Sequence, residues 1–180
     1  MLNCLIPHYM KKTVFILLSL LALTSCHKSG IKLFSGDYSF KTSGEVYIVA
    51  EAEVQGDDII IPAALDVSLA NEMGQLNISV SDKDNDEVIV VINYLNGDVI
   101  TTTGTCDGNT IELDEFYRNV LPVTVSTWSN MNSSIRISGT GHIYEDDMIV
   151  FDLNYSGKGT LEDVTYIIKD KDVRMVAYRN

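Results

Sequence analysis

From Gly36 onward, short apolar runs alternate residue by residue with polar side chains and are cut by turn-forming residues at close, fairly even spacing. In residues 45–54, Val46, Ile48, Ala50, Ala52 and Val54 face one way, and Glu45, Glu51 and Glu53 the other. In residues 134–143, Ile135, Ile137, Gly139, Gly141 and Ile143 oppose Ser134, Arg136, Ser138, Thr140 and His142. A side-chain period of two belongs to a strand with one wet face. Separators fall at Gly56-Asp57-Asp58, Asp82 to Asp86, Asn96-Gly97-Asp98, Asp107-Gly108-Asn109, Glu145-Asp146-Asp147, Ser156-Gly157-Lys158-Gly159 and Asp170-Lys171-Asp172. Asn-Gly between two apolar runs signals a hairpin, because both central residues of a type I′ turn need positive φ. Further strands are expected at 36–42, 57–62, 75–81, 87–95, 98–105, 109–114, 121–128, 147–155, 160–168 and 173–179. Segments 63–73 and 114–120 read as short helices, although Leu65, Val67 and Leu69 in the first also alternate as a strand would.

Many short antiparallel strands joined by tight turns must either close into a barrel or pack as two sheets, since open edges invite aggregation. Ala50, Ala52, Gly139 and Gly141 sit on otherwise apolar faces. Small residues there suit strongly bent strands or a wall that encloses space. The expected fold is therefore all-β, an antiparallel up-and-down meander closing into a barrel of about eight to ten strands, with a β-sandwich as the alternative.

Residues 10–26 carry a different message. Lys11 and Lys12 precede an apolar run from Thr13 to Leu23, and Leu23-Thr24-Ser25-Cys26 places small residues just before a cysteine. This stretch resembles a bacterial lipoprotein signal peptide that ends in a lipobox. A transmembrane helix needs about 20 predominantly apolar residues, and this run is stopped short by Ser25, Cys26, His27 and Lys28. A plain secretory site has no chemical need for cysteine. A lipobox does, because the thiol accepts the diacylglyceryl group before the signal is cut. Met10 is the expected translation start. Residues 1–25 are expected to be removed, 26–33 to form a lipidated tether with Cys26 as its acylated first residue, and 34–180 to form the domain. Two or more acyl chains at about 0.8 kcal/mol per buried methylene give stable anchoring. Residues 27–31 hold no acidic cluster, so the anchor is expected on the periplasmic side of the outer membrane.

The whole chain has 13 basic and 25 acidic residues, a net charge of −12. Loss of Lys11 and Lys12 with the signal leaves 11 against 25, or −14, on 155 residues. Such a surface repels nucleic acid, so neither DNA nor RNA is an expected partner. A chain of this length is one domain that buries roughly 70% of its unfolded surface. With Cys26 lipidated, Cys106 has no disulfide partner in the domain and reads as a small semi-buried residue beside a turn.

Three segments carry a family resemblance: Gly36-Asp37-Tyr38, Asn154-Tyr155-Ser156-Gly157, and Asp172-Val173-Arg174-Met175-Val176-Ala177-Tyr178-Arg179-Asn180. The chain resembles the calycin-like, or lipocalin-like, lipoproteins of Bacteroidetes over about residues 31–180. Calycins open the barrel with Gly-x-Trp and close it with a basic residue of the last strand over that ring. The resemblance implies that Gly36 and Tyr38 take the opening positions, tyrosine replacing tryptophan, and that Arg174 or Arg179 supplies the cation. That contact would be a structural lid worth about 1 kcal/mol. A ligand-binding calycin would use the barrel interior, for which Val46, Ile48, Ala50, Ala52, Ile135 and Ile137 are the candidate lining residues.

Catalytic chemistry is not evident. Asp82, Asp84 and Asp86 start like a calcium loop, but its sixth and twelfth places hold Glu87 and Asn93 instead of glycine and glutamate. His142 lies on a polar strand face, and one histidine with one cysteine gives too few ligands for zinc or for haem capture. Ser43-Gly44 and Ser156-Gly157 lack the Gly-x-Ser-x-Gly elbow and read as turns. Paired carboxylates for glycoside hydrolysis have no local signature. Trp128, Tyr38, Tyr47, Tyr155, Tyr166 and Tyr178 offer a pocket lining or a sugar-stacking surface, against plain core packing. The expectation is a non-enzymatic envelope protein without cofactor or metal, tethered to the membrane by lipid. It would hold a small apolar or amphipathic ligand in its barrel, or else act as a glycan- or protein-interaction module, or inhibitor, with a filled barrel.

Overall fold

The computed structural model describes residues 27–51, 53–55, 58–60, 62–81, 86–125, 128, 131–145 and 147–180. Residues 1–26, with Cys26, and Ala52, Asp82 and Asp84 lie outside the described residues. Among the described residues, one helix, α1 (His27–Phe34), precedes eleven strands. They are β1 (Gly36–Ala50), β2 (Glu53–Gln55), β3 (Asp58–Ile60), β4 (Leu65–Ser68), β5 (Glu72–Val80), β6 (Glu87–Tyr94), β7 (Val99–Asp107), β8 (Thr110–Arg118), β9 (Asn132–Tyr144), β10 (Met148–Leu161) and β11 (Val164–Arg179). Among the described residues no helix is long and apolar enough to cross a membrane.

The main sheet runs β11-β10-β9-β8-β7-β6-β5-β1-β4, and β11 also pairs with β1. That last pairing, Tyr38↔Arg179 to Ala50↔Tyr166, closes a barrel of eight antiparallel strands and leaves β4 as an extra strand on the second half of β1. The small β2–β3 hairpin stands apart as its own sheet. The expected meander is present, with one insertion between β1 and β5.

Inward positions along the eight barrel strands alternate with outward ones, and the inward apolar residues form a single core. Phe34, Val46, Val88, Val90, Ile111, Ile135, Phe151, Ile168 and Ala177 are wholly buried within it. The small inward residues do not leave space. A Cβ on Gly141 would lie 2.5 Å from the Phe151 ring and 2.7 Å from Ile111. One on Gly74 would lie 2.8 Å from the Phe40 ring, and one on Gly139 would lie 2.8 Å from Leu153. Large side chains from neighbouring strands fill the room that these glycines leave, so glycine here permits packing instead of a cavity.

Several local expectations yield to tertiary pairing. The stretch 63–73 is not helical: β4 and the start of β5 lie end to end along β1. Segment 114–120 is not helical either: its residues 114–118 are the far half of β8. Its Leu113 and Phe116, both buried, mimic helical spacing because a bulge places two outward residues between them. Ser43-Gly44 and Asp170-Lys171-Asp172, expected as turns, lie within β1 and β11 around a register shift at Glu45/Val46. Ser156-Gly157-Lys158-Gly159 lies within β10, where a Cβ on Gly159 would meet the Met131 sulfur at 2.5 Å. The turn falls instead at Glu162-Asp163, with φ of 49° and 64°. Those values suit Asn-Gly, so the replacement Glu162→Asn with Asp163→Gly is expected to stabilise the protein by about 1 kcal/mol. A higher midpoint in thermal unfolding checks it.

Both barrel ends are covered. The tether expected at 26–33 is helical from His27, and Ile31 and Phe34 of α1 plug the end where β1 begins. Gly30 lets the helix lie on the β7–β8 turn, since a Cβ there would stand 3.0 Å from the Gly108 carbonyl. At the far end, the β8–β9 connection leaves one wall and reaches β4 on the opposite wall. Leu69 bridges Val123, Ala70 N–H donates to the Pro122 carbonyl at 3.0 Å, and Leu121 is buried. The strand expected at 121–128 is this mouth-crossing segment, which pairs only through that bridge among its described residues.

Candidate functional site

The α1 end contains three of the residues named for barrel closure. Inward parity along β11 runs through Val173, Met175, Ala177 and Arg179, so Arg179 turns toward Tyr38, with its guanidinium 4.8 Å from the ring centroid. It donates to the carbonyls of Ser35 (2.7 Å) and Leu33 (2.5 Å) and to the Tyr38 hydroxyl oxygen (2.6 Å), while that hydroxyl donates to the Phe34 carbonyl at 2.8 Å. Those carbonyls end α1, where a cation is favoured. Gly36, at φ 152°, leaves the room that the guanidinium occupies. Burial raises the Tyr38 pKa, partly opposed by the charge of Arg179. Arg174 has the opposite parity, is exposed, and pairs with Asp152 (3.0 Å) and Asp172 (3.4 Å), so it takes no part in the closure. Arg179→Ala is expected to lower stability by about 1–3 kcal/mol. Hydrogen exchange should rise in α1 before it rises in the far-end strands.

The candidate lining residues Val46, Ile48, Ile135 and Ile137 are all buried in the packed core. Ala50 is half-buried where β1 ends, and Ala52 lies outside the described residues. Among the tyrosines and tryptophan, Tyr38 and Tyr155 are core residues, Trp128 stands edge-on to Tyr166 at 4.9 Å, and Tyr47 and Tyr178 face solvent. Cys106 is buried, and burial followed by the charge of Asp86 pushes its thiol up to about 11, the wrong direction for a nucleophile.

The far end holds a cluster that the sequence did not single out. Arg118, at the inward end of β8, is buried and forms a fork with Glu72 at the start of β5, at 2.6 and 2.9 Å. It also reaches Asp98 at 3.2 Å and lies over the Tyr94 ring at 4.3 Å. Tyr94 in turn meets Phe40 edge-on at 5.3 Å. Burial works against the charge on Arg118, but hydrogen bonding to Glu72 and the nearby tyrosine oxygens outweigh it and raise its pKa. Burial, opposed by Arg118, pushes Tyr94 up to about 12, and burial also raises Tyr155. The hydroxyls stay protonated and the guanidinium stays charged, so this is a positioning cluster and not a proton-transfer site.

Two clefts flank the β6–β7 hairpin above it. One of about 220 Å³ is lined by Asp98, Val99, Ile100, Tyr117, Arg118, Asn119 and Val120. Another of about 210 Å³ is lined by Asn71, Glu72, Met73, Tyr94, Leu95 and Asn96. Their apolar rims are open to solvent, with Leu95 74% and Val99 63% exposed and Met73, Tyr117 and Val120 exposed as well. Glu72, Asp98 and Arg118 come from three strand ends 20 to 46 residues apart. The available sequence signal was an arginine at an inward position next to Phe116, readable only once the β8 bulge is known.

No family model matches the chain, and no curated protein matches it. Solved structures similar to it include EF1p2_mFAP2b bound to DFHBI, at 9% identity and a TM-score of 0.41, covering 86% of this chain and 99% of that one. A redesigned β-barrel, b11L5F_LGL, is similar at 13% identity and a TM-score of 0.37, over 84% of this chain and 95% of that one. A redesigned β-barrel, mFAP1, bound to DFHBI, is similar at 12% identity and a TM-score of 0.37, over 83% and 98% respectively.

Proposed function

We propose that this chain is a non-enzymatic binding module of the cell envelope, held by lipid on Cys26, whose barrel interior is structural core and whose binding surface is the far rim. The observation that supports it best is the folding of large inward side chains over glycines of the adjacent strand, Phe151 over Gly141 and Phe40 over Gly74, within a lumen of wholly buried apolar residues. A lumen packed in this way has little room for a ligand, whereas the exposed apolar rim around the β6–β7 hairpin is open to one. Orientation supports the same reading. The residue after Cys26 begins α1, which sits on the opposite end of the barrel, so a lipid there would leave the far rim pointing away from the membrane.

Native mass spectrometry of the protein purified from its own host tests both halves. The expected result is a mature chain beginning at acylated Cys26 with no small molecule retained. An unmodified Cys26 would remove the anchor. A co-purifying lipid or metabolite would overturn the solid-core reading and favour an apolar ligand inside the barrel.

A further inference from the structure

The barrel wall is not uniformly zipped. β7 and β8 pair only from Gly104↔Leu113 to Asp107↔Thr110. Toward the far rim, Val99–Thr103 and Asp114–Arg118 run side by side without ladder pairing. The cause lies in β8, where a bulge between Leu113 and Phe116 adds one residue relative to β9. The bulge keeps β8 in register with β9 and puts its other edge out of phase with β7.

Side chains hold this seam together. Thr102 Oγ1 donates to the Asp114 carbonyl at 3.1 Å, Thr103 Oγ1 bonds the Asp114 carboxylate, and Arg118 reaches Asp98. Parity identifies the backbone groups that face the seam. Tyr94 N–H donates to the Asp98 carbonyl, and Cys106 N–H donates to Asp86, both on the β6 side. The N–H and C=O of Val99, Thr101 and Thr103 therefore point at β8, which has stopped pairing with them; of these, the Thr103 carbonyl accepts from Thr102 Oγ1 at 3.4 Å. The cleft of about 220 Å³ opens in the wall at this point, between Asp98–Ile100 and Tyr117–Val120.

Charge indicates what fits. Asp114 and Glu112 are exposed along the seam and below it, and the side chains of Asp98 and Glu115 are 51% and 44% exposed. A cleft of about 270 Å³ lined by Thr105, Asp107, Thr110 and Glu112 continues the acidic strip. Arg136 answers only Glu115, at 3.7 Å. A second copy of this chain would bring the same acids to the same edge.

We propose that the seam is a slot for an extended, basic segment of a partner protein, which adds a strand to the free edge of Val99–Thr103. This deepens the far-rim reading and rests on it. Main-chain bonds to Val99, Thr101 and Thr103 supply the attachment, apolar side chains of the segment meet Val99, Tyr117 and Val120, and its cations meet Asp98, Asp114 and Glu115.

A capped peptide alternating valine and lysine is the probe, with its valine–glutamate counterpart as control, added to the full purified chain and followed by amide exchange and chemical shifts. The lysine peptide should slow exchange at Val99, Thr101 and Thr103 by about tenfold or more, and the glutamate peptide should not. Thr101→Pro removes a seam-facing N–H without touching the pairing to β6, and should weaken binding by about tenfold. Glu112→Gln with Glu115→Gln should weaken it at low salt while leaving the thermal midpoint in place. Equal binding by Thr101→Pro, or protection of the seam by self-association without peptide, would overturn the proposal. Shifts confined to Met73 and Leu95 would overturn the slot and leave the far-rim reading standing, whereas no response at either place would count against both.

Discussion

Arg118→Ala is expected to destabilise the protein by about 3–5 kcal/mol, because it strands Glu72 in a nearly closed site without its partner. The side chains of Arg118 and Glu72 are only 3% and 11% exposed, and the fork between them is bidentate. The double change Arg118→Met with Glu72→Met removes both charges and keeps the volume, so it should recover most of the loss. Urea unfolding of the three variants against the parent chain reads this directly, as a shift in midpoint at constant slope. A single variant as stable as the parent would show that Glu72 finds water or another donor. The surface pairs make the contrast. Lys158 with Glu51 and Arg174 with Asp152 are well exposed at both partners, and removing either should change stability by no more than about 1 kcal/mol.

Phe151→Ala should cost about 3–5 kcal/mol, the range for emptying a buried aromatic site. Phe151 is wholly buried, and its ring occupies the place where Gly141 would carry a side chain. Gly141→Ala alone should cost about 1–3 kcal/mol, because its Cβ would stand 2.5 Å from that ring and 2.7 Å from Ile111. Combined with Phe151→Ala, the same alanine enters vacated space and should be neutral or favourable. The resulting coupling, about 1–3 kcal/mol, measures how tightly the lumen is packed. Additive effects would mean that the ring moves aside freely, as it would in a barrel with room for a ligand.

Strand identity was legible wherever one face of a strand is wet. The alternations through Val46 and Ile48 and through Ile135 and Ile137 correspond to the inward faces of β1 and β9. The Asn96-Gly97 and Asp107-Gly108 signals mark turns in the structure, at φ of 97° and 56° for the two glycines. Glycine misled elsewhere. Gly44, Gly157 and Gly159 suggested turns but sit inside strands, because a neighbouring backbone or the Met131 side chain comes too close for a Cβ. The true turn at Glu162-Asp163 carried no glycine signal. For barrel closure, the sequence offered Arg174 and Arg179 equally, and the structure separates them because Arg179 shares the inward face of Val173, Met175 and Ala177 while Arg174 lies on the outward one.

What the sequence by itself determined is what depends on neighbours along the chain: the period-two faces, the acidic surface and the hairpin turns. The tertiary structure alone decided what depends on residues far apart. The β1–β11 pairing that closes the barrel joins positions more than a hundred residues apart. The Arg118–Glu72–Asp98 cluster and the mouth-crossing contact of Val123 with Leu69 arise in the same way. The seam between β7 and β8 follows from a single extra residue in β8 whose effect appears only beside two neighbouring strands. A bulge does not change composition, and it changes local periodicity by only one position. It nevertheless moves a whole strand edge out of hydrogen-bonding phase, which is why the wall opens there.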